Sequence, residues 1–386
     1  MTDSTANRAG SPKGTKDGSD DGGRLPRIVA FGGGTGMAAL LLGLKAYTDR
    51  ITAVVTVTDN GGSSGRLRND FDMAAPGDIR NCIIALADID PILAEVFQYR
   101  FHEAEFKGHC FGNLFITVLN RVLGDFEGSI KVLNRLLKVR GQVIPACNNK
   151  VSLVAEHPDG SKSTGEVEIT KSRKRIDRIE LRPQPVPLSP EIQQAISEGD
   201  LFLFGPGSLY TSVVPNLLLD GIMEAINGTG KPRVYIGNIM TQPGETLGYA
   251  LTDHIRALRV HVGGDFPDAV IAHNGAVPEA VAEEYEKQGA EPVAQDLDGK
   301  DEFRSVRVIT ADFFAGPEGS PPRPARHESA LLAKVIHDSF LRSVTDESGA
   351  KEQTVPRLSA PAGDEQLALG GAPTESSRYD MGSDGV

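Results

Sequence analysis

Residues 27–36 read Arg-Ile-Val-Ala-Phe-Gly-Gly-Gly-Thr-Gly, a short apolar segment that runs straight into glycine. Residues 28–31 are apolar at every position, which is typical of a strand in a parallel sheet covered by helices on both faces. Residues 37–46, rich in leucine and alanine, are expected to form the next helix. The free N–H groups and the positive dipole end at the start of such a helix favour a bound anion. The stretch therefore predicts an α/β fold with a phosphate or nucleotide site.

The glycine run differs from the dinucleotide-binding fingerprint. Counted from Gly32, Met37 stands where the third glycine of G-x-G-x-x-G would fall. Residues 33–36 are candidates to cradle phosphate; the alternative, from this segment alone, is that they form only a tight strand-to-helix turn. The motif indicates an anion site without indicating NAD.

A second β-branched segment, residues 51–57, is expected to lie beside the first strand and ends in another polar loop. Ligands of open α/β sheets bind outside the carboxyl ends of the strands. Asp59 could accept a hydrogen bond from a ribose hydroxyl or hold a divalent cation. Asp59 and Asn60 could instead form an Asx turn with their own backbone.

The same loop continues with hydrogen-bonding and cationic side chains. Ser63 and Ser64 can donate hydrogen bonds, and the guanidinium group of Arg66 can pair with phosphate oxygens. Further along the chain, Gly207 and Ser208 follow another apolar strand. Ser208 lacks the Gly-x-Ser-x-Gly elbow of a nucleophile, so we expect it to contact phosphate.

Several motifs occur together and in a fixed order. They are Gly32-Gly33-Gly34-Thr35-Gly36, Thr58-Asp59-Asn60-Gly61-Gly62-Ser63-Ser64-Gly65-Arg66-Leu67-Arg68, Pro76-Gly77-Asp78-Ile79-Arg80-Asn81, Gly112-Asn113-Leu114, Gly205-Pro206-Gly207-Ser208, Asn238-Ile239-Met240-Thr241-Gln242-Pro243-Gly244-Glu245-Thr246 and His273-Asn274-Gly275. This set resembles the YvcK branch, the gluconeogenesis factors, of the family shared with the 2-phospho-L-lactate transferase CofD. The resemblance covers roughly residues 27–341.

The resemblance implies a protein that binds UDP-glucose or UDP-N-acetylglucosamine and supports cell shape and peptidoglycan synthesis during growth on gluconeogenic carbon. It implies no required cofactor and no catalytic residue. It also implies a homo-oligomer that acts through unidentified cell-wall synthesis proteins.

The transferase branch offers an alternative, in which a phospholactyl-type group moves from a guanosine diphosphate-linked donor to the deazaflavin Fo in coenzyme F420 synthesis, with Mg²⁺. That branch resembles a pair of adjacent acids after its second strand. Here Asp59 is followed by Asn60, which leaves one carboxylate for Mg²⁺ and favours the binding protein.

The motifs and the resemblance together imply a set of nucleotide- and phosphate-binding residues. Tyr285 would stack on the base and Arg326 would reach the diphosphate by resemblance, while Asn113 could either cap its helix or face the ligand. The complete set is Gly33, Gly34, Thr35, Gly36, Asp59, Asn60, Gly61, Ser63, Ser64, Arg66, Asn113, Gly207, Ser208, Asn238, Asn274, Tyr285 and Arg326.

Composition excludes several other classes of protein. The net charge of −12 argues against a general nucleic-acid-binding surface, and no apolar stretch is long enough for membrane insertion. The first two dozen residues carry no hydrophobic segment of a signal peptide, so we expect a cytoplasmic protein. Three cysteines without C-x-x-C spacing indicate neither a disulfide framework nor a zinc site.

The expected architecture is a Rossmann-like three-layer sandwich with a mainly parallel sheet. Residues 1–25 and 343–386 are predicted to be disordered tails, and residues 26–342 a single α/β nucleotide-binding domain. A small β-rich lobe is expected at about residues 142–187, with residues 165–169 as a hairpin strand. Residues 209–226 are expected to form one helix kinked at Pro215. The basic run at 171–175 is expected to be a solvated strand edge or turn.

Overall fold

The computed structural model of the chain describes residues 25–314 and 325–341. The two predicted tails, apart from Leu25, lie outside the described residues. The strands in chain order are β1 (Ile28–Gly32), β2 (Ile51–Val55), β3 (Gln142–Pro145), β4 (Ser152–Glu156), β5 (Lys162–Thr164), β6 (Arg178–Arg182), β7 (Leu201–Phe204), β8 (Arg233–Ile236), β9 (Ala269–His273) and β10 (Arg307–Ala311).

The helices connect these strands and flank them. In chain order they are α1 (Gly34–Leu44), α2 (Gly62–Asp70), α3 (Gly77–Leu86), α4 (Pro91–Gln98), α5 (Phe111–Leu123), α6 (Phe126–Leu136), α7 (Glu166–Ser172), α8 (Pro190–Glu198), α9 (Val214–Leu217), α10 (Ile222–Gly228), α11 (Leu251–Val262), α12 (Glu279–Glu286) and α13 (Ser329–Ile336). Among the residues described, no helix combines the length and apolar character that a membrane span requires.

The main sheet has seven strands in the order β10-β9-β8-β7-β1-β2-β3. All neighbouring pairs in it run parallel, and β1 lies between β2 and β7. The chain builds outward from β1 through β2 to β3, then returns to β7 on the other side and builds outward to β10. The strand order therefore reverses between β1 and β7, which is where open α/β sheets form a binding crevice.

Two hydrophobic layers cover the faces of this sheet. Alternate side chains of β1 belong to different layers, with Val29 and Phe31 in one and Ile28 and Ala30 in the other. Because both faces are buried, the strand is apolar at every position, as its sequence predicts. The three-layer α/β architecture is confirmed.

The small lobe is present, but its elements differ from the prediction. β4 pairs antiparallel with β5 and β6, whereas β3 belongs to the main sheet, parallel to β2. The prediction of a strand at residues 165–169 is wrong, since Glu166–Ser172 is helical. Gly165 has φ of +88°, which turns the chain out of the extended conformation before the alternating Glu-Val-Glu-Ile segment.

The single helix predicted for residues 209–226 is also wrong. A π-helical turn at Leu209–Val213 leads into α9, and the chain then breaks before α10. Gly221 at the break has φ of +77°, a left-handed conformation that cannot continue a right-handed helix. The π-helical turn places Tyr210 and Thr211 beside the sheet edge, where both residues hydrogen-bond to Glu245.

Candidate functional site

A cleft of about 590 Å³ opens at the carboxyl ends of the central strands, above the reversal of strand order. We call it the cleft throughout. Its walls come from the loops after β1, β2, β7 and β8, from α7 of the lobe and from the residues before α13. The lining residues are Gly33, Gly34, Thr35, Gly36, Asp59, Asp78, Glu166, Thr170, Pro206, Gly207, Ser208, Ser212, Asn238, Ile239, Met240, Thr241, Gln242, Pro243, Glu245, Tyr285, Ala325, Arg326 and His327.

Two glycine-rich loops meet on the floor of the cleft. A β-carbon at Gly36 would lie 3.0 Å from the carbonyl oxygen of Pro206, and one at Gly207 would lie 3.3 Å from the carbonyl oxygen of Gly33. Side chains at these two positions would push the loops apart. The absence of a β-carbon therefore lets the loop after β1 pack directly on the loop after β7.

The second glycine loop is held by side chains that follow β8. Asn238 donates from Nδ2 to the carbonyl oxygen of Gly207 at 3.0 Å, and Gln242 donates from Nε2 to Ser208 Oγ at 2.9 Å. Because Ser208 Oγ accepts this bond, its own proton remains available to a ligand oxygen. The arrangement fixes Ser208 as a hydrogen-bond donor at the cleft.

One side of the cleft is acidic. Burial and the adjacent Asp59 raise the pKa of Asp78 to about 6, although the N–H of Gly34 donates to its carboxylate. Burial raises the pKa of Glu166 to about 9, with further contributions from Asp59, Asp78 and Glu245. Burial also raises the pKa of Glu245. At neutral pH Glu166 therefore carries a proton and can donate a hydrogen bond, whereas Asp78 is mainly an acceptor.

The opposite side of the cleft is polar and uncharged at its base. Burial, with the nearby His273, lowers the pKa of His327 to about 4, so its imidazole is neutral. Within the described part of the chain, His327 Nε2 and Gln242 Oε1 are buried without a hydrogen-bond partner. Buried polar atoms of this kind are normally satisfied, so these two atoms are unusual among the side chains that line the cleft.

Tyr285 and Arg326, which the sequence places apart, meet above this uncharged base. The Tyr285 hydroxyl accepts the N–H of Ala325 at 3.0 Å, which positions the neighbouring Arg326 at the rim. Arg326 is exposed, whereas His327 is buried beneath it. Stacking and ionic groups are thus available at the same end of the cleft.

The structure brings ten of the sequence-predicted site residues into the cleft lining. They are Gly33, Gly34, Thr35, Gly36, Asp59, Gly207, Ser208, Asn238, Tyr285 and Arg326. Asp59 combines its two predicted roles, because it lines the cleft while its Oδ1 accepts the N–H of Gly61 at 2.7 Å in an Asx turn.

Asn60 and Gly61 do not line the cleft, and their contacts lie within the loop after β2 and between that loop and the lobe. The side chain of Asn60 turns towards the lobe, where its Oδ1 accepts the N–H of Val167 at 3.0 Å. Gly61 is the residue before α2. The loop after β2 therefore anchors α7 through Asn60.

Ser63 and Asn113 belong to a separate buried polar cluster. Asn113 donates from Nδ2 to Ser63 Oγ at 3.2 Å and accepts from Arg80 Nη1 at 2.8 Å. Ser64 is buried against α3, where a β-carbon at Gly77 would lie 2.3 Å from its Oγ. These residues join α2, α3 and α5.

The two remaining predicted residues lie at the surface. Arg66 donates to the carbonyl oxygen of Lys107 at 2.8 Å. Asn274 donates from Nδ2 to Thr310 Oγ1 at 3.0 Å, between the ends of β9 and β10. Neither residue lines the cleft.

Sequence reasoning missed eight polar side chains of the cleft, namely Asp78, Glu166, Thr170, Ser212, Thr241, Gln242, Glu245 and His327. Asp78 and Gln242 lie inside motifs that the sequence already marks, so a motif-wide reading would have included them. Glu166 and Thr170 had no such signal. Both lie in α7 of the lobe, where the sequence predicts a strand over residues 165–169 that ends just before Thr170. Their place in the cleft follows from the packing of that lobe.

The cleft does not present a preformed set of metal ligands. In residues 25–314 and 325–341, no group of three or more His, Cys, Asp or Glu side chains is arranged to hold a metal ion. Asp59 has one carboxylate oxygen committed to its Asx turn.

Both the sequence and the fold of this chain are similar to those of known proteins. The family model described as 2-phospho-L-lactate transferase CofD matches residues 28–314. The gluconeogenesis factor of Bacillus subtilis is 44% identical over 277 residues, 72% of this chain and 87% of the relative. That of Halalkalibacterium halodurans is 45% identical over 311 residues, 80% of this chain and 95% of the relative. A crystal structure of a Bacillus halodurans protein superposes with a TM-score of 0.77 at 41% identity, covering 81% of this chain and 99% of that one.

Proposed function

Because this chain belongs to the CofD family and, within it, to the gluconeogenesis factors, we propose that it is a cytoplasmic protein that binds a UDP-sugar in the cleft. The ligand is UDP-glucose or UDP-N-acetylglucosamine. The loaded protein, as a homo-oligomer, acts on cell-wall synthesis proteins and so supports cell shape and peptidoglycan synthesis under gluconeogenic growth. It acts by binding and release, without turnover of the sugar nucleotide.

The observation that carries this proposal is the meeting of the two glycine-rich loops at the reversal of strand order. Residues 33–36 and Gly207 approach each other without side chains between them, and Ser208 offers a free hydroxyl proton. Loops of this kind let backbone N–H groups approach phosphate oxygens closely. These features support a diphosphate at the centre of the cleft.

The two sides of the cleft suit the two ends of a nucleotide sugar. Sugar hydroxyls can donate to Asp59 and Asp78 and can accept from protonated Glu166. The base can stack on Tyr285 and use the free polar atoms of Gln242 and His327. A volume of about 590 Å³ lies in the range of small-molecule sites.

The alternative function is transfer of a phospholactyl-type group from a guanosine diphosphate-linked donor to Fo with Mg²⁺. The description of the matching family model favours it. Asn60 stands against it, because the side chain in the second acidic position is an amide that bonds Val167 of the lobe instead of facing the cleft. Phosphoryl transfer depends on metal and positive charge at the developing phosphate. Among the described residues that line the cleft, Arg326 is the only Lys or Arg side chain.

Calorimetric titration separates the two functions. We expect UDP-glucose or UDP-N-acetylglucosamine to bind with micromolar affinity with and without Mg²⁺, and GDP plus Fo with Mg²⁺ to give no Fo-dependent signal. Fo binding without UDP-sugar binding would establish the transferase instead.

Variants of Tyr285 and Arg326 test whether the UDP-sugar binds in the cleft. Tyr285→Ala and Arg326→Ala should each weaken UDP-sugar binding at least fivefold. Arg304→Ala is the matched control, since its guanidinium pairs with Asp301 at 2.7 Å on an exposed surface outside the cleft. Equal affinity in folded Tyr285→Ala and Arg326→Ala would remove both residues from the site.

A further inference from the structure

A second cavity of about 250 Å³ adjoins the cleft. One wall is the basic run Arg173, Lys174 and Arg175, which follows α7, and the other is the loop from Gly244 to Tyr249. We call it the basic cavity. The run predicted as a solvated turn is therefore part of a concave surface.

Two of the three cations in the basic cavity have no protein partner. Lys174 Nζ contacts Asp159 Oδ2 and Ser161 Oγ, both at 2.8 Å. In the part of the chain that the structure describes, the guanidinium groups of Arg173 and Arg175 make no hydrogen bond or ion pair. Two guanidinium groups that line the same cavity are thus open to an anion.

The carboxylates that also border the basic cavity are already engaged. Glu245 accepts from the N–H of Tyr210 at 3.1 Å and from the hydroxyl of Thr211 at 3.0 Å. Asp253 accepts the N–H of Ala250 at 3.0 Å and contacts Arg256 at 3.2 Å. Neither carboxylate pairs with Arg173 or Arg175. The positive charges of these two guanidinium groups are therefore not neutralised by an acidic side chain of the basic cavity.

The floor of the basic cavity is partly apolar. Tyr249 packs beside Tyr210 with a hydroxyl–hydroxyl distance of 3.0 Å, and Leu247 is 37% exposed. An inorganic anion would leave these side chains in water. An organic group attached to the anion would cover them and gain burial of apolar area.

Arg173 is held at its position by an uncommon backbone conformation. Its φ of 49° and ψ of 21° are left-handed, a conformation that few residues other than glycine adopt. Glycine would end α7 without this cost. At this position the Arg173 side chain lines the basic cavity.

We propose that the basic cavity is a second ligand site, which binds a phosphorylated small organic molecule through Arg173 and Arg175. The phosphoryl group pairs with the two guanidinium forks, and the organic part lies on Tyr249 and Leu247. The argument for this site does not rest on the proposed nucleotide-sugar function. The cavity is too small for a polymer, which makes a metabolite the occupant.

The basic cavity is coupled to the cleft through shared elements. Helix α7 contributes Glu166 and Thr170 to the cleft, and Arg173, which directly follows it, lines the basic cavity. Gly244 packs on the same helix so closely that a β-carbon there would lie 2.1 Å from the carbonyl oxygen of Thr170. A ligand that shifts α7 at one site therefore changes the other, and linkage makes the effect reciprocal.

The test uses the full chain and phenyl phosphate as the probe, titrated by calorimetry, with phenol and inorganic phosphate in parallel. We expect phenyl phosphate to bind at least tenfold more tightly than either fragment. Arg173→Gln/Arg175→Gln should weaken its binding at least tenfold. Lys171→Gln/Arg178→Gln, which removes two charges of the same lobe outside the basic cavity, should not change it.

The cleft could itself accept a phosphate, so the titration is repeated in the presence of saturating UDP-glucose and with the Arg326→Ala variant. Binding that persists in both and is lost in Arg173→Gln/Arg175→Gln supports the second site. No binding of phenyl phosphate, equal loss in the two double variants, or full displacement by UDP-glucose would overturn it. A protein that fails to bind UDP-glucose but keeps this arginine-dependent binding contradicts only the proposed function.

Discussion

The carboxylate of Asp78 lies directly against the α-carbon of Gly33, where a β-carbon would stand 2.7 Å from Asp78 Oδ2. The same β-carbon would be 2.7 Å from Thr56 Cγ2. Asp78 also accepts the N–H of Gly34. An acid from α3 is therefore fixed at the loop after β1, and position 33 has room for no side chain.

Gly33→Ala should damage the cleft. The added methyl group displaces Asp78 and Thr56, so we expect unfolding free energy to fall by about 1–3 kcal/mol, as for other overpacked sites. UDP-sugar affinity should fall at least tenfold. Denaturant unfolding and calorimetry measure the two effects.

Gly228→Ala is the control for Gly33→Ala, because a β-carbon at Gly228 would meet nothing within 4 Å. It lies in α10, where alanine is a better helix former, and should leave stability equal or slightly higher. If both variants behave alike, close packing of Asp78 on Gly33 has no part in the cleft.

The contact between Gly244 and α7 gives a second prediction. Gly244→Ala would place a methyl group 2.1 Å from the carbonyl oxygen of Thr170 and would also strain a φ of +82°. We expect α7 to move from the cleft, with UDP-sugar affinity reduced at least tenfold and faster protease cleavage near residues 165–173.

Gly248→Ala is the control that introduces backbone strain without a steric clash with α7. Gly248 lies in the same loop with a φ of +73°, but nothing stands within 4 Å of its added β-carbon. It should lose about 1 kcal/mol of stability from the left-handed conformation and keep its affinity. Loss of affinity in Gly248→Ala as large as in Gly244→Ala would refute the role of the α7 contact.

The raised pKa of Glu166 predicts how stability depends on pH. Between its ordinary pKa of 4.5 and its folded pKa of about 9, the folded state holds a proton that the unfolded state has released. Unfolding free energy therefore falls as the pH rises through this window. Between pH 3.8 and about pH 6, Asp78 contributes a fall in unfolding free energy with rising pH for the same reason.

Glu166→Gln removes the Glu166 part of this dependence. We expect its melting temperature to exceed that of the parent at pH 8 and the difference to shrink towards pH 5. Glu168→Gln, an exposed glutamate of the same helix, should leave the pH profile unchanged. A profile that is the same in the parent and in Glu166→Gln would disprove the raised pKa.

The contacts of Asn113 match neither of the two roles left open for it, because it follows the Cys110 N-cap of α5 and its side chain belongs to the buried cluster around Arg80. Arg80 is 8% exposed and Asn113 is 2% exposed, and Asn113 Oδ1 accepts from the guanidinium group. Asn113→Ala should cost about 1–3 kcal/mol of stability, because it leaves a buried charged donor without its partner. UDP-sugar affinity in the folded variant should stay within threefold of the parent.

Two further variants control this prediction. Asn113→Asp supplies a carboxylate to Arg80 and should be more stable than Asn113→Ala. Asn120→Ala, on the same helix and only half-buried, should be nearly neutral. A large loss of affinity with full stability in Asn113→Ala would mean that this side chain faces the ligand.

Much of the cleft is predictable because it follows from local rules. A strand apolar on both faces is buried in a parallel sheet, and parallel strands deliver their carboxyl ends to one edge. Gly33 and Gly207 each follow such a strand, so the sequence alone indicates that they approach a common ligand. The same reasoning applies to Asp59 and Asn238.

The direction of side chains within the loops was not predictable in this way. Asn60 and Asp59 are neighbours in one polar loop, yet Asp59 lines the cleft and Asn60 bonds Val167, which is 107 positions further along the chain. Ser63 and Asn113 lie in motifs of the same kind and instead surround Arg80. Local pattern does not encode which partner a loop side chain meets.

The sequence by itself determined the α/β fold, the glycine-rich loops and their gathering at one sheet edge, because strand burial and turn chemistry depend on neighbouring residues. Tertiary structure alone decided that Glu166 would stand among Asp59 and Asp78 with a pKa of about 9. It also decided that Arg173 and Arg175 would face Tyr249 across the basic cavity. Both arrangements depend on where the lobe docks, and docking is set by contacts between segments that are distant in sequence.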